Sequence, residues 1–308
     1  MPSIRARILT FLLKHRHWFR FQLKEKKVDW TKYEEILKFR QEVEDGAGKF
    51  GKFPDDLKTI PITIDEMAAE WIMPESTDKS KVMLYFHGGG YVSGTIAAHR
   101  AITAKFVKNS GIPALLFEYR LAPENPYPAA LEDAVKAYKW LLNQGISASN
   151  IVFAGDSAGA GLLLATLLYL RDNDIELPAA AAPYSPYTDL SCSSESHKSK
   201  AKICLSPEGT GVAFGRHYAG DNDIRLPYIS PLFGNLEGLP PTLIYVGEDE
   251  TLRDDSILFA EKAEKAGVNI TLRVGEGMFH CYPAVSPLFP EAKQAMDEIC
   301  SFLKEHVR

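Results

Sequence analysis

Ser157 stands in Gly155-Asp156-Ser157-Ala158-Gly159, between a β-rich run at 151–154 and a helix-forming stretch that begins near 158. A serine hydroxyl works as a nucleophile when a sharp strand-to-helix turn exposes it. Flanking glycines let the backbone make that turn without a Cβ clash. The start of the helix also directs free N–H groups toward the place where negative charge develops on a reacting carbonyl. Composition alone would produce a G-x-S-x-G pattern in roughly one chain of this size in ten, so the context makes Ser157 a candidate, not the pattern.

His87-Gly88-Gly89-Gly90 follows another β-rich run, 81–86. Chance would produce it only about 0.003 times per chain of this composition. A phosphate cradle is the rival reading, but neither G-x-G-x-x-G nor a P-loop lysine accompanies it. Glycine N–H groups that approach a tetrahedral intermediate closely make an oxyanion hole, and the expected donors are Gly88, Gly89 and Ala158. His87 and Gly90 complete the motif. Asp156, its side chain expected to point away from Ser157, orients the elbow.

The nucleophile needs a base and an acid, and with such an elbow both follow the serine in chain order. Of the eight histidines, only His197, His217, His280 and His306 follow Ser157. His280 closes Gly275-Glu-Gly-Met-Phe-His280, just past a β-rich run, where a loop can cross the end of a sheet. His306 lies at the terminus, and His197 and His217 fall in an irregular segment. His280 is therefore the expected general base. The acid stays open among Glu248, Asp249, Glu250, Asp254 and Asp255, all just past the apolar run 242–246. Asp254 or Asp255 would also suit the N-cap of the next helix. Arg120 and Glu124 read as a buried pair that fixes a loop, and His99 as a hydrogen-bonded structural residue.

These residues need a scaffold that brings loop ends together. The runs 59–64 and 69–73 read as a short antiparallel pair. The runs 81–86, 114–119, 151–154, 179–183, 242–246 and 269–274 read as buried strands, separated by helical stretches near 98–109, 128–143, 158–172, 254–265 and 288–305. Continuous apolar strands alternating with helices predict an α/β fold with a mostly parallel, doubly wound sheet covered on both faces. Two segments break the rhythm, 1–55 and 191–225, and they are expected to form a lid over one end of the sheet. The expected organisation is thus cap helices in 1–55, core in 56–190, a cap insertion in 191–225 and core again in 226–308.

The bulk numbers exclude other classes. The chain has 308 residues, is 45% hydrophobic and 24% charged, and carries a net charge of −5, which argues against disorder and gives no reason to expect nucleic acid. Its four cysteines form no CxxC pair and read as reduced thiols of a cytoplasmic protein. No metal-ligand spacing or cofactor motif stands out, so neither is expected. Residues 1–27 carry eight Lys and Arg against one acid, Glu25. Their apolar stretch of six residues lacks a cleavage site and is not read as a signal peptide. The preferred reading is a packed helix with its cations in water. The alternative is a helix that also touches an anionic membrane or a lipid substrate.

The sequence resembles the hormone-sensitive-lipase-like branch of the α/β-hydrolases, a bacterial family of small carboxylesterases. The resemblance covers residues 60–305 and rests on His87–Tyr91 (HGGGY), YRLAPENPYPA at 119–129, GDSAGAG at 155–161, ISPLF at 229–233 and GMFH at 277–280. It implies the α/β-hydrolase fold, a helical cap and a Ser–acid–His triad. The family's acid usually stands in D-P-L-x-D. Here Glu250-Thr-Leu-Arg-Asp254 occupies that register, so the resemblance implies Glu250 as the acid, with Asp249 as second choice. The implied activity is hydrolysis of short- to medium-chain acyl esters, with a small-molecule ester as partner and a homodimer as a mild expectation. A long-chain lipase, an amidase and a non-catalytic binder are the weaker alternatives.

Overall fold

The computed structural model describes residues 2–14, 28–46, 52–75 and 79–307. Its strands are β1 (Leu57–Ile64), β2 (Met67–Pro74), β3 (Val82–Phe86), β4 (Ala114–Phe117), β5 (Ile151–Asp156), β6 (Ala180–Tyr184), β7 (Thr242–Gly247) and β8 (Ile270–Gly275). They form one eight-stranded sheet in the order β1-β2-β4-β3-β5-β6-β7-β8. The β1–β2 and β2–β4 pairs are antiparallel, and all other neighbours are parallel. Every expected strand is present.

The apolar runs explain why this sheet is buried on both faces. Side chains alternate across a strand, so Val82, Leu84 and Phe86 of β3 enter one core and Met83 and Tyr85 the other. The first core is closed by α4 (Ala129–Asn143), α5 (Ser157–Asp172) and α8 (Arg253–Lys265), through Tyr138, Leu164 and Phe259 among others. The second is closed by α3 (Ile96–Ser110) and α9 (Pro290–His306), through Phe106, Ile299 and Leu303. The edge strand β8 departs from expectation. It is half-buried to exposed along its length, with Val274 at the surface, because only one neighbour and one helix layer cover it.

The remaining helices lie in the two irregular segments: α1 (Ile4–Lys14) and α2 (Tyr33–Gly46) before the sheet, α6 (Ser196–Ser199) and α7 (Thr210–Ala219) after β6. The two segments meet through the Trp30, Phe39 and Phe214 rings, with centroids 5.3–5.8 Å apart. Arg40 of α2 donates to the Val92 carbonyl at 2.6 Å and pairs with Glu124. That contact corrects the expected Arg120–Glu124 pair. Arg120 turns instead to Asp133 and Glu132 in the first turns of α4, while the Arg40 guanidinium holds Glu124 down at about 2. An arginine 84 residues upstream is the better partner because α2 folds back over this loop.

Candidate active site

Parallel register places the carboxyl ends of β3, β5, β6, β7 and β8 along one rim of the sheet, where ligands bind in open α/β folds. His87 follows β3, Ser157 follows β5, Ser185 follows β6, Glu250 lies just past β7 and His280 past β8. Phe86 pairs with Gly155, and Gly247 with Gly275. Residues spread over nearly 200 positions thus share one crevice.

The elbow is tight. Ser157 has φ +53°, a left-handed conformation that costs a non-glycine residue about 1–2 kcal/mol. A Cβ at Gly159 would stand 2.2 Å from the His87 carbonyl oxygen, and one at Gly155 would be 2.7 Å from that of Phe86. Only glycine lets α5 start this close to the end of β3. The serine is left partly exposed at the first residue of the helix.

The Ser157 hydroxyl oxygen lies 3.1 Å from His280 Nε2, and His280 Nδ1 lies 2.5 Å from Glu250 Oε2. Glu250 is fully buried. Its other oxygen, Oε1, accepts from the Gly247 N–H at 2.6 Å and the Ser185 hydroxyl at 2.8 Å. Of the open carboxylates, the structure therefore brings Glu250 to the imidazole. Asp249 turns away and is held by Lys14 and by Lys200 at 3.0 Å, which keep its carboxyl below the usual range despite burial. Asp254 and Asp255 do not cap α8, whose N-cap is Leu252. Asp255 accepts instead from the Thr188 and Asp189 N–H groups and from His197 at 2.8 Å, and Asp254 from the Ser196 N–H.

Burial works against a charged imidazole at His280, but the Glu250 carboxylate on its Nδ1 favours that form and holds its pKa above the ordinary value. Burial pushes the Cys281 thiol up to about 11. At neutral pH the thiol is uncharged, and Glu250 is the charge that acts. Cys281 Sγ sits 3.4 Å from His280 Nε2, and the Cys281 N–H donates to the Ser185 hydroxyl. Neither Ser185 nor Cys281 carried a motif signal, since their roles arise only from where β6 and β8 end. The other late histidines are engaged elsewhere: His197 with Asp255, His217 with the Trp30 carbonyl and His306 with that of Phe302.

The glycine loop differs from expectation at one position. The Gly88 N–H is taken by Asp156 Oδ1 at 3.1 Å, which also accepts from the Tyr85 hydroxyl. A donor so engaged is not free for an oxyanion. The Gly89, Gly90 and Ala158 N–H groups have no partner among the described residues. Gly89 and Gly90 have φ of +124° and +68°, and a Cβ on Gly90 would lie 2.3 Å from the Phe214 ring. His87 braces the loop from below: its ring stacks on Tyr119 at 4.1 Å, and burial lowers its pKa to about 3. Asp156 thus faces this loop. His99 meets the Thr95 carbonyl at 3.2 Å.

A hydroxyl within general-base reach of an imidazole, itself held by a buried carboxylate, can carry out acyl transfer. Among the described residues no group of three or more His, Cys, Asp or Glu side chains is arranged to hold a metal ion.

A family model described as alpha/beta hydrolase fold matches residues 83–284. The chain is 39% identical over 262 residues to an acetyl-hydrolase of Streptomyces hygroscopicus, covering 85% of this chain and 86% of that protein. It is similar to the crystal structure of EstE5 soaked with p-nitrophenyl butyrate, with TM-score 0.88, 38% identity and 99% of both chains covered. It is also similar to a crystal structure of an esterase from the bacterial hormone-sensitive lipase family, with TM-score 0.89, 34% identity and 100% of both chains covered.

Proposed function

The chain belongs to the hormone-sensitive-lipase-like branch of the alpha/beta-hydrolase family, and from that membership we propose a serine carboxylesterase that cleaves short- to medium-chain acyl esters through an acyl-enzyme on Ser157. The observation that carries the residue roles is the contact of His280 with Ser157 on one ring nitrogen and Glu250 on the other. Neutral His280 takes the serine proton as Oγ attacks the ester carbonyl. The tetrahedral oxyanion is received by the N–H groups of Gly89, Gly90 and Ala158, each worth about 3 kcal/mol of barrier. His280 then returns the proton to the leaving alkoxide. Water, deprotonated by the same imidazole, releases the acid. Glu250 holds the ring and stabilises its charged form.

Residues 1–55 and 191–225 act as the cap in this reading. The support is local: Trp30 and Phe39 of the first segment pack on Phe214 of the second, whose ring lies against Gly90. A phenyl ring against the oxyanion loop suits short acyl groups. The half-exposed edge of β8 suits a homodimer, and four free cysteines suit a reducing, cytoplasmic setting.

The test is Ser157→Ala assayed on p-nitrophenyl butyrate. Turnover should fall about 10⁶-fold; retained turnover would falsify the assignment.

A further inference from the structure

The helix α1 is amphipathic the wrong way round for a helix that merely packs. It buries Ala6 and Thr10 and half-buries Leu9 and Leu13, while Ile4, Ile8 and Leu12 are 74%, 55% and 41% exposed. At about 100° per residue these three, spaced i, i+4 and i+8, form one stripe pointing away from the protein. Arg7 flanks the stripe on one side and Arg5 on the other, both exposed. An apolar ridge between two cationic rails is the arrangement of helices that lie in the plane of a membrane surface, with the apolar residues entering the headgroup boundary and the arginines meeting lipid phosphates.

We propose that α1 is a docking face for an anionic lipid bilayer. Charge selects this occupant, because α1 carries Arg5, Arg7 and Lys14 and no acid in a chain whose net charge is −5. Arg5 and Arg7 thus stand at the surface beside the apolar ridge. A second copy of the chain would bring its own cations against them. No described helix is long and apolar enough to cross the membrane, so the contact is peripheral. The helix is also fastened to the body: Ser3 donates to Glu291, and Lys14 pairs with Asp249, the neighbour of Glu250. A bilayer held by the ridge therefore lies within one helix length of the acid loop.

The experiment is co-sedimentation of the full chain with phosphatidylcholine vesicles, with and without phosphatidylglycerol. Soluble p-nitrophenyl butyrate turnover reports folding independently. Wild type should sediment with the anionic vesicles, not the neutral ones, and be released by salt. Ile8→Asp should weaken sedimentation roughly tenfold or more by removing buried apolar area, and Arg5→Glu or Arg7→Glu at least fivefold each, with ester turnover unchanged. If Ile8→Asp does not fold, the arginine variants, whose side chains lie at the surface, decide alone. Absence of wild-type binding to anionic vesicles, binding that ignores Arg5 and Arg7, or a wild-type dimer that Ile8→Asp splits without any vesicle binding overturns the proposal.

Discussion

Ser185 donates its hydroxyl to Glu250 Oε1 at 2.8 Å, on the side of the carboxylate that faces away from His280, and accepts the Cys281 N–H at 3.0 Å. One side chain at the end of β6 thereby braces both the acid and the residue after the base. Ser185→Ala leaves a buried carboxylate oxygen with one donor fewer, which costs about 1–2 kcal/mol. The expected result is a roughly tenfold lower kcat with KM little changed. Steady-state kinetics with an unaltered kcat would show that Gly247 alone suffices.

Glu250 and Asp249 are adjacent acids with different partners. Glu250→Gln keeps the shape and removes the charge that orients the imidazole, so kcat should drop about 10³–10⁴-fold. Asp249→Asn loosens contacts to Lys14 and Lys200 without touching His280, and should keep most of its turnover while unfolding at a lower temperature. The reverse ranking of the two variants would reassign the acid.

The pH profile follows from the same pair. His280 must be neutral to accept the serine proton, so kcat/KM is lost as pH falls through its pKa. Glu250 favours the imidazolium and raises that pKa, which places the acid limb above the ordinary imidazole value of about 6.5. In Glu250→Gln the limb should move to lower pH, even as the plateau falls. The Cys281 thiol, at about 11, is uncharged there, so Cys281→Ala should leave the limb in place. A limb that follows Cys281 instead would show that the sulfur carries charge at neutral pH.

Phe214 of α7 closes on Gly90, where a Cβ would already clash at 2.3 Å. Phe214→Ala removes a ring that packs on Trp30 and Phe39 and opens space beside the proposed oxyanion donors. The ratio of kcat/KM for p-nitrophenyl octanoate over butyrate should rise several-fold, about 1 kcal/mol of discrimination. A chain-length series with an unchanged ratio would place the acyl group elsewhere.

The elbow, the glycine loop and the alternation of strand and helix were legible in the chain because each is local. Gly155 and Gly159 bracket the serine, apolar runs mark buried strands, and the last strand leads directly to His280. Contacts between distant segments were not legible. Five carboxylates stand within eight residues after β7, and any of them could sit at a strand end. The choice depends on the Gly247 N–H and Ser185 capturing Glu250, while Lys14, 235 residues away, draws off Asp249. The Gly88 N–H is spent on Asp156, 68 positions along, so the free donors move one residue on. The sequence by itself pointed to the reaction class, because the proposed nucleophile and base and the strand ends are written in contiguous motifs. Only the tertiary structure shows which carboxylate meets the imidazole and which N–H groups and helix face stay unengaged, because those depend on which hydrogen bonds and ion pairs the packed chain has already satisfied.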